Sequence, residues 1–403
     1  MQNAAREVER LGIFFRDKAF DFETVRVMWY APAGGADLGE VLSATRRIRN
    51  GDTDSWFREW NRIATVLLDR AGGLRDDLSR GNALLRAANY LRTAEFFLDP
   101  ADPRRGPTAD RARTSFDTGL AALGVELIRT EIPYGEAELE LMYFLPRAPA
   151  GPGAPLLVVC GGFDSVPDEL WFTVARAALE RGFAVLVYEG PGQGNLLRRY
   201  GIPFEHRWEV PSSAVLDWAA AHIETESTTG VGISYGGRLL ARAAAKDPRY
   251  DRIVLFDYFP RMLDAFTASI PWPLRSAAAT MPPWLARIVS TAGRFDTQTR
   301  WALANARWTF GAADLPDLVA KLALDSGDEW AADIAADVLL LVAEREHFYP
   351  KSLAYRFAER LTGARSVTLR EFTSAEGGEL HCQNGALNAA HEQIFDWIRL
   401  PRG

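Results

Sequence analysis

Six short, continuously apolar runs in the later part of the chain constrain its fold more than any other feature. Stretches with helical character separate these runs. Because a strand that is apolar along its whole length is buried on both faces, this alternation indicates an α/β fold, with a mostly parallel sheet and helices on both sides. The predicted strands cover residues 155–160, 183–188, 228–233, 253–256, 338–342 and 366–369.

Two segments before these strands alternate apolar and polar residues. Residues 125–132 alternate in part, and residues 137–144 alternate for longer, on either side of Pro133-Tyr134-Gly135. Alternation with a period of two around a turn that contains Pro and Gly predicts a two-stranded hairpin.

The first third of the chain has the periodicity of helices. Residues 54–71 and 79–99 place apolar side chains at i, i+3, i+4 and i+7, and residues 108–122 form a further predicted helix. Prolines at positions 100, 103 and 107 predict a loop between the second and third of these helices.

The change of period near residue 125 predicts two domains. We expect an N-terminal helical cap domain over residues 1–124 and an α/β catalytic domain over residues 125–403. Residues 257–336 interrupt the strand pattern and contain the Trp- and Pro-rich motifs PWP and PPW. They predict a helical insertion over the carboxyl edge of the sheet, before the strand at 338–342.

The charge and cysteine content exclude several classes of partner. The net charge is −7, and the sequence has no cluster of Lys and Arg larger than short runs such as Arg46-Arg47. Nucleic-acid binding, in contrast, needs a basic face. The two cysteines, Cys160 and Cys382, do not suffice for a disulfide framework and favour a reducing compartment. No apolar stretch of about 18 residues is present, and the polar N-terminus lacks the apolar segment of a signal peptide. We therefore expect a cytoplasmic protein that binds neither nucleic acid nor a membrane.

The motif Gly232-Ile233-Ser234-Tyr235-Gly236-Gly237 matches the pattern G-x-S-x-G. It lies between the predicted strand at 228–233 and the strongly helical sequence RLLARAAAK. A sharp turn between a strand and a helix exposes a serine hydroxyl above the sheet, and the glycines allow the neighbouring backbone to pass close to it. This context predicts that Ser234 is a catalytic nucleophile.

An acyl-transfer serine needs two backbone N–H donors for the oxyanion that forms on the substrate. One is expected from Tyr235, the residue after the nucleophile. The other is expected from Phe163, because the strand at 155–160 leads directly into Gly161-Gly162 and paired glycines allow a backbone N–H to face the pocket.

The catalytic base is expected near the C-terminus, since enzymes with a G-x-S-x-G turn between a strand and a helix have their catalytic residues in the order serine, acid, histidine along the chain. His381 and His391 are the candidates among the five histidines of the chain. His391 has helical spacing with its neighbours, which indicates a helix surface. His381 lies in a loop between the last strand and the last helix, so we predict that His381 is the base. The adjacent Cys382 is interpreted as a small buried side chain and not as a nucleophile.

The acid is expected in the loop after the strand at 338–342. Glu346 is the first candidate and Glu344 the second, and either could instead be a surface carboxylate paired with Arg345. The carboxylate would orient the imidazole of the base and stabilise its protonated form.

No cofactor or metal is predicted. The histidines have no metal-ligand spacing. The segment Gly190-Pro191-Gly192-Gln193-Gly194 resembles a phosphate loop only superficially, because it lacks G-K-[ST] and ends a strand as a turn.

With these residues placed, the chain resembles one branch of the α/β-hydrolases. It is similar to the fungal pigment-pathway hydrolases that shorten a heptaketide naphthopyrone, to the bacterial dihydroxypseudooxynicotine hydrolase and to the fermentation–respiration-switch-like esterases. The resemblance spans nearly the whole chain. It is carried by GDTDSWFREW at 51–60, LRAANYLRTAEFF at 85–97, GGFDS at 161–165, EGPGQG at 189–194, GISYGG at 232–237 and EGGELHCQ at 376–383.

The resemblance implies a Ser–acid–His triad, carried over position by position to Ser234, Glu346 and His381, on a domain capped by the N-terminal helices. This chain has Glu346 where the family usually has Asp. Several members cleave carbon–carbon bonds of acyl-phenol or β-dicarbonyl substrates. The resemblance therefore implies a serine hydrolase that acts on an aromatic or polyketide-like ketone in secondary metabolism or catabolism.

Four residues are predicted to contact such a substrate: Trp56, Trp60, Tyr90 and Asp164. For Trp56 and Trp60 the alternative is a place in the core of the cap, which their helical spacing fits equally well. Tyr90 belongs with Arg86, Asn89 and Glu95 to a polar group in an otherwise apolar helix, for which a buried network is the alternative. The large helical surface of the cap is compatible with a homodimer.

Two other functions remain open at this point. An esterase, thioesterase or acyltransferase would use the same residues, because it forms the same acyl-enzyme. A catalytically silent binding protein on a hydrolase scaffold is the third hypothesis, and a missing triad residue would indicate it.

Overall fold

The computed structural model describes residues 12–146, 153–268, 270–293, 295–325 and 327–401. The polar N-terminal segment, in which no signal peptide is predicted, lies outside these ranges. No helix in the described ranges is long and apolar enough to cross a membrane. The chain forms two units: the first contains the residues up to Gly124 together with Ser290–Ala304, and the second contains Val125–Val289 and Asn305–Gly403.

The first unit is helical, as its periodicity predicts. An aspartate precedes each of its first four helices, and its side chain accepts hydrogen bonds from N–H groups of the first turn, which have no partner within the helix. The last of these four ends at Glu95 and not at residue 99, because the N–H of Phe96 bonds to the carbonyl of Thr93 and tightens the final turn. The helices are α1 (Lys18–Trp29), α2 (Leu38–Thr45), α3 (Thr53–Gly73), α4 (Asp77–Glu95) and α5 (Arg105–Ala122).

The second unit contains an eight-stranded sheet, and all predicted strands are present in it. The spatial order is β1-β2-β4-β3-β5-β6-β7-β8. The strands from β3 onward are parallel, whereas β1 and β2 pair antiparallel as the predicted hairpin. The strands are β1 (Leu127–Tyr134), β2 (Ala137–Phe144), β3 (Leu156–Cys160), β4 (Ala184–Tyr188), β5 (Thr228–Ile233), β6 (Arg252–Phe256), β7 (Asp337–Ala343) and β8 (Ser366–Phe372).

Burial explains the two kinds of strand pattern. Every residue of β3, β4, β6 and β7 is buried, in agreement with the apolar runs that predicted these strands. Strand β1 lies at an edge of the sheet and alternates in exposure. Its edge position also accommodates Pro133, which has no N–H to donate to a neighbouring strand.

Helices connect the strands of the second unit and confirm the α/β fold. The predicted insertion between β6 and β7 is helical, but its residues Ser290–Ala304 group with the first unit. The helices are α6 (Pro167–Leu170), α7 (Arg176–Leu179), α8 (Gly194–Tyr200), α9 (Glu209–His222), α10 (Tyr235–Ala244), α11 (Met262–Ala268), α12 (Arg275–Ala278), α13 (Pro283–Gly293), α14 (Thr297–Thr309), α15 (Leu315–Leu322), α16 (Ser352–Glu359) and α17 (Leu387–Ile398).

The topology brings five loops to one edge of the sheet. Strands β3, β5, β6, β7 and β8 are successive neighbours, so the loops after their carboxyl ends adjoin one another. In open α/β sheets, ligands bind at the carboxyl ends of the strands. The predicted nucleophile, acid and base follow β5, β7 and β8 respectively.

Candidate active site

Ser234 lies at the turn between β5 and α10, and its backbone is strained. Its φ is 57° and its ψ is −124°, in a region that residues with a side chain rarely adopt. The surrounding structure holds this conformation, since the N–H of Ser234 bonds to the carbonyl of Phe256 at 2.8 Å and its carbonyl accepts from Gly237 at 2.8 Å. The turn leaves Ser234 only partly buried while its neighbours Ile233 and Tyr235 are buried.

Close backbone packing explains the glycines on both sides of the serine. A methyl group on Gly232 would stand 2.2 Å from the carbonyl oxygen of Gly236, and one on Gly236 would stand 2.5 Å from the carbonyl oxygen of Gly161. The turn and the loop after β3 therefore pack backbone against backbone.

The loop after β3 lies directly beside the serine. A methyl group on Gly162 would stand 3.1 Å from Cβ of Ser234 and 3.2 Å from the amide nitrogen of Tyr235. The backbone that leads to Phe163 is therefore a close neighbour of the amide that begins α10. This is the arrangement in which the two predicted donors, Phe163 and Tyr235, can share one oxyanion.

A chain of hydrogen bonds joins Ser234, His381 and Glu346. Oγ of Ser234 lies 2.8 Å from Nε2 of His381, and Nδ1 of His381 lies 2.5 Å from Oε2 of Glu346. The other oxygen of Glu346 accepts the N–H of Phe348 at 2.8 Å. With Nδ1–H donating to the carboxylate, Nε2 is left to accept the serine proton.

The pKa values of Glu346 and His381 follow from their burial and from their contact with each other. Burial alone would raise the pKa of Glu346, but the adjacent His381 outweighs it and holds that pKa below its usual value. Burial alone would lower the pKa of His381, but the adjacent Cys382 and Glu346 outweigh it and raise that pKa well above its usual range. Glu346 is therefore ionised and stabilises a proton on the imidazole.

A second buried carboxylate, which the sequence analysis missed, lies at the same imidazole. Asp257 directly follows β6 and is fully buried, and its Oδ2 lies 3.9 Å from Nδ1 of His381. The N–H of Cys382 donates to the same oxygen at 3.4 Å. Burial raises the pKa of Asp257 well above its usual value although His381 lowers it, and the charge of Glu346 adds to the rise, so we expect Asp257 to be the neutral member of the pair.

Asp257, Glu346 and His381 also form a group of side chains close enough to share a metal ion. Both nitrogens of His381 are bonded, however, one to Ser234 and the other to Glu346. Within the group, His381 bonds to Glu346, whereas Asp257 lies 3.9 Å from the imidazole and accepts the N–H of Cys382.

The alternatives for the acid and the base lie elsewhere. Glu344 accepts the N–H of Ser374 at 2.7 Å and is not brought to the imidazole. His391 lies on α17 as predicted, but the expectation of a surface position is wrong. Its ring is buried, Nε2 lies 2.7 Å from the carbonyl oxygen of Thr173, and burial lowers its pKa to about 4. Cys382 is a buried free cysteine, as predicted.

The prediction that Trp56 and Trp60 contact a substrate is wrong. Both are fully buried in the core of the first unit, with their rings 5.7 Å apart. Nε1 of Trp56 donates to the carbonyl of Thr93 at 2.7 Å, and the ring packs against Phe20 at 4.5 Å. The helical spacing that suggested a pocket arises from packing between α1, α3 and α4.

Tyr90 is also structural, so its predicted contact with a substrate is corrected in the same way. It is fully buried, its hydroxyl donates to Glu40 at 2.9 Å, and it accepts the N–H of Asp37 at 2.9 Å. Arg86 binds the same carboxylate at 2.8 Å, which gives the buried network that was the alternative. Asp164 follows Phe163 in the loop after β3 and is half-buried, so its substrate contact stays a prediction.

We expect the variant Trp56→Ala to lose stability without losing a substrate contact. Removal of a fully buried indole should lower the free energy of unfolding by about 3–5 kcal/mol. Chemical denaturation followed by circular dichroism measures this change. The matched control is Trp284→Ala, because Trp284 is 52% exposed and should unfold as the wild type does. An unchanged stability with a raised KM would restore Trp56 as a substrate contact.

Aromatic rings of the second unit surround the serine and the imidazole. The ring of Phe348 lies 5.0 Å and that of Phe259 5.8 Å from His381. On the side of the nucleophile, Phe204 lies 5.6 Å from Tyr235, and Phe310 bridges Phe204 and Phe163 at 5.0 and 6.4 Å. Phe163, Phe204 and Phe348 are only partly buried, so their rings can meet a ligand. Phe163 and Tyr235 were predicted from the sequence, whereas the other rings come from loops without a motif and were not.

A buried cation lies one helical turn after Ser234. The guanidinium of Arg238 binds Asp325 and Asp328, each at 2.6 Å, and also contacts the hydroxyl of Tyr258 at 3.3 Å. Two carboxylates therefore compensate its charge. Arg238 fixes α10 and does not offer a positive charge to an anionic substrate.

Curated relatives of similar length match the chain almost completely. It is 32% identical to "Hydrolase acrC" of Aspergillus aculeatus, with 96% of this chain and 97% of the relative covered. It is 32% identical to "20-hydroxy-prefusarin hydrolase FUS2" of Gibberella moniliformis, with 95% and 96% covered. "Alpha/beta hydrolase psoB" of Aspergillus fumigatus is 31% identical, with 95% and 93% covered. No family model matches the chain.

Solved structures share the fold. The 2,6-dihydroxy-pseudo-oxynicotine hydrolase superposes with a TM-score of 0.72 at 20% identity and covers 92% of this chain and 94% of its own. The protein AbyA5 superposes with a TM-score of 0.66 at 17% identity, with 90% and 89% covered. The similarity extends over both units of the chain.

Proposed function

Because the chain is a hydrolase of the α/β-hydrolase family, as its full-length fungal relatives establish, we propose that it is a serine hydrolase with Ser234 as nucleophile, His381 as base and Glu346 as acid. The observation that carries this proposal is the continuous hydrogen-bonded chain from Ser234 through His381 to Glu346. A hydroxyl within 2.8 Å of an imidazole that is itself oriented by a carboxylate is the arrangement that activates serine.

In the first half of the reaction, Oγ of Ser234 attacks the substrate carbonyl and its proton passes to Nε2 of His381. Glu346 stabilises the imidazolium that results. The N–H groups of Phe163 and Tyr235 bind the oxyanion of the tetrahedral intermediate. The bond to the leaving group then breaks, the leaving group takes the electron pair and the proton from His381, and an acyl-enzyme remains.

In the second half, His381 removes a proton from a water molecule that attacks the acyl-enzyme. Collapse of the second tetrahedral intermediate releases a carboxylic acid and returns the proton to Ser234. For a ketone, the net reaction cleaves one C–C bond and consumes one water molecule. The acyl part is released as a carboxylic acid, and the other carbon gains a hydrogen. The leaving carbon must then be stabilised as an enolate or phenolate-type carbanion.

We propose an aromatic or polyketide-like ketone, cleaved at a C–C bond, as the substrate class. The partly buried rings of Phe163, Phe204 and Phe348 near the reacting groups support an aromatic substrate. One relative, from Gibberella moniliformis, is named as a hydrolase of 20-hydroxy-prefusarin. An esterase, thioesterase or acyltransferase is the alternative, because the same acyl-enzyme serves esters and thioesters.

A fluorophosphonate probe tests the nucleophile. Oγ of Ser234 forms a bond to phosphorus as fluoride leaves, so intact mass should increase by the probe minus HF, and peptide mapping should place the adduct on Ser234. The variant Ser234→Ala should take up no probe. Ser213→Ala is the matched control, since Ser213 instead bonds to Asp247 at 2.7 Å and should leave labelling unchanged. A folded wild type that forms no adduct would contradict the proposal.

The substrate class is tested separately, with the labelled residue already known. Hydrolysis of aryl-substituted β-diketones and acyl phenols is compared with hydrolysis of nitrophenyl esters. We expect the larger kcat/KM for the ketones. Turnover of the esters alone would support the esterase alternative.

A further inference from the structure

The turn after β4 carries a buried glutamine that faces the loop of the predicted oxyanion hole. Gln193 is 4% exposed, and its Nε2 donates to the carbonyl of Gly161 at 2.6 Å and to the carbonyl of Gly162 at 2.9 Å. Its Oε1 accepts the N–H of Gly190 at 3.1 Å. All three polar contacts of this side chain go to backbone, so the amide acts as a clamp between two loops.

The clamp fixes the direction of a catalytic N–H through the geometry of the peptide group. The carbonyl of Gly162 and the N–H of Phe163 belong to one planar peptide unit. In a trans peptide these two groups point in opposite directions, and the cis bond among the described residues lies at Phe256-Asp257 instead. Binding of the Gly162 oxygen by Gln193 therefore directs the N–H of Phe163 away from Gln193.

The position of Gln193 is itself held rigidly. The carboxylate of Glu189 is buried and accepts the N–H groups of Asn195 and Leu196, at 2.5 and 3.1 Å. Gly194 has φ +37°, and a methyl group on it would stand 1.7 Å from Oε2 of Glu189. The close approach of Glu189 therefore explains the glycine at position 194 of this turn.

From these contacts we propose that Gln193 is a positioning residue of the oxyanion hole, which holds the peptide between Gly162 and Phe163 with its N–H toward the oxyanion. The inference rests on the proposed function, because only an acyl-transfer site uses that N–H. Gly162 is the neighbour of Ser234 and of the amide of Tyr235, so rotation of this peptide would remove one of two donors at the reacting carbonyl.

The test compares Gln193→Glu with Gln193→Met by the second-order rate constant for labelling with a fluorophosphonate, whose phosphonyl oxygen occupies the oxyanion position. Glutamate presents oxygen atoms to two carbonyls, and methionine removes the amide with little change of volume. Loss of one oxyanion donor lowers rates by about 10²- to 10³-fold, and we expect that loss in both variants. The second variant keeps the test valid if the buried charge of the first prevents folding.

Two readouts separate positioning from general destabilisation. The pH at which labelling is half-maximal should not move, because the contacts of Ser234, His381 and Glu346 are unchanged. Crystal structures of the variants should show the Gly162–Phe163 peptide rotated. The control Ser212→Ala also removes a buried hydrogen bond, which joins the hydroxyls of Ser212 and Tyr250 at 2.8 Å, and should leave the labelling rate unchanged.

The outcomes distinguish this inference from the proposed function. If the wild type forms no adduct on Ser234, the proposed function fails and the inference fails with it. If the wild type is labelled and both variants of Gln193 react at the wild-type rate with an unrotated peptide, Gln193 is not a positioning residue, and the proposed function stands.

Discussion

Replacing His381 by alanine is expected to lower kcat by about 10⁶-fold, the order of the loss observed when the histidine of a serine triad is removed. Nε2 of His381 lies 2.8 Å from Oγ of Ser234, and in the proposed mechanism it takes the serine proton in the first half of the reaction and a proton from water in the second. Without it the hydroxyl has no base, since both carboxylates of the site face Nδ1, on the other side of the ring.

The measurement is single-turnover hydrolysis of an activated nitrophenyl ester, because an activated ester also reports slow acylation. His222→Ala is the matched control. His222 is exposed on α9, with Nδ1 bonded to the carbonyl of Trp218, and its removal should leave kcat unchanged. A loss of less than about tenfold in the folded His381→Ala variant, against the much larger losses seen for serine triads, would mean that another group activates Ser234.

The site shows which features sequence patterns predict and which they do not. The strand positions follow from local apolar runs, and Ser234 and His381 are found because a motif and the order along the chain identify them. Asp257 belongs to no motif. It is a single residue at the end of β6, and the pairing of β6 with β5 and β7 brings it to His381. The contact of Gln193 with the carbonyls of Gly161 and Gly162 was not predicted, because a sequence pattern does not indicate the direction of a backbone carbonyl.

The two tryptophans illustrate the opposite error. Trp56 and Trp60 have a spacing that fits a pocket and a core equally well, because both require one apolar face of a helix. Tertiary packing distinguishes the two cases, and in the structure Phe20 and Thr93 contact Trp56 on that face. The rings that do adjoin His381, from Phe259 and Phe348, come from loops with no periodicity to detect.

The second large effect is expected for Glu346→Gln and not for Asp257→Asn. Loss of the carboxylate that orients the imidazole lowered kcat about 10⁴-fold in a well-studied serine triad, and we expect a loss of about 10³- to 10⁴-fold here. An amide in place of Glu346 can present a donor to Nδ1 and so stabilise the wrong tautomer. Asparagine in place of Asp257 replaces one neutral group by another, because burial raises the pKa of Asp257 well above its usual value.

The pH dependence of labelling by the fluorophosphonate checks this assignment. The base acts as neutral imidazole, so labelling falls as the pH decreases through the pKa of His381. Burial opposes the charge on the imidazole, but Cys382 and Glu346 favour it, and the pKa of His381 lies well above its usual range. The acidic limb of the wild type should therefore lie above the ordinary titration range of histidine. Removal of the negative charge in Glu346→Gln lowers the pKa of His381 and moves this limb to lower pH.

Asp257→Asn decides which carboxylate carries the charge. If Asp257 is neutral, asparagine removes no charge, so the limb stays where it is in the wild type and the labelling rate changes by less than about tenfold, far below the loss expected at Glu346. If Asp257 shares the charge with Glu346, asparagine also lowers the pKa of His381, and the limb moves to lower pH in both variants. That second result, with substantial activity left in Glu346→Gln, would mean that Asp257 serves as an acid of the triad, since its Oδ2 lies 3.9 Å from Nδ1 of His381.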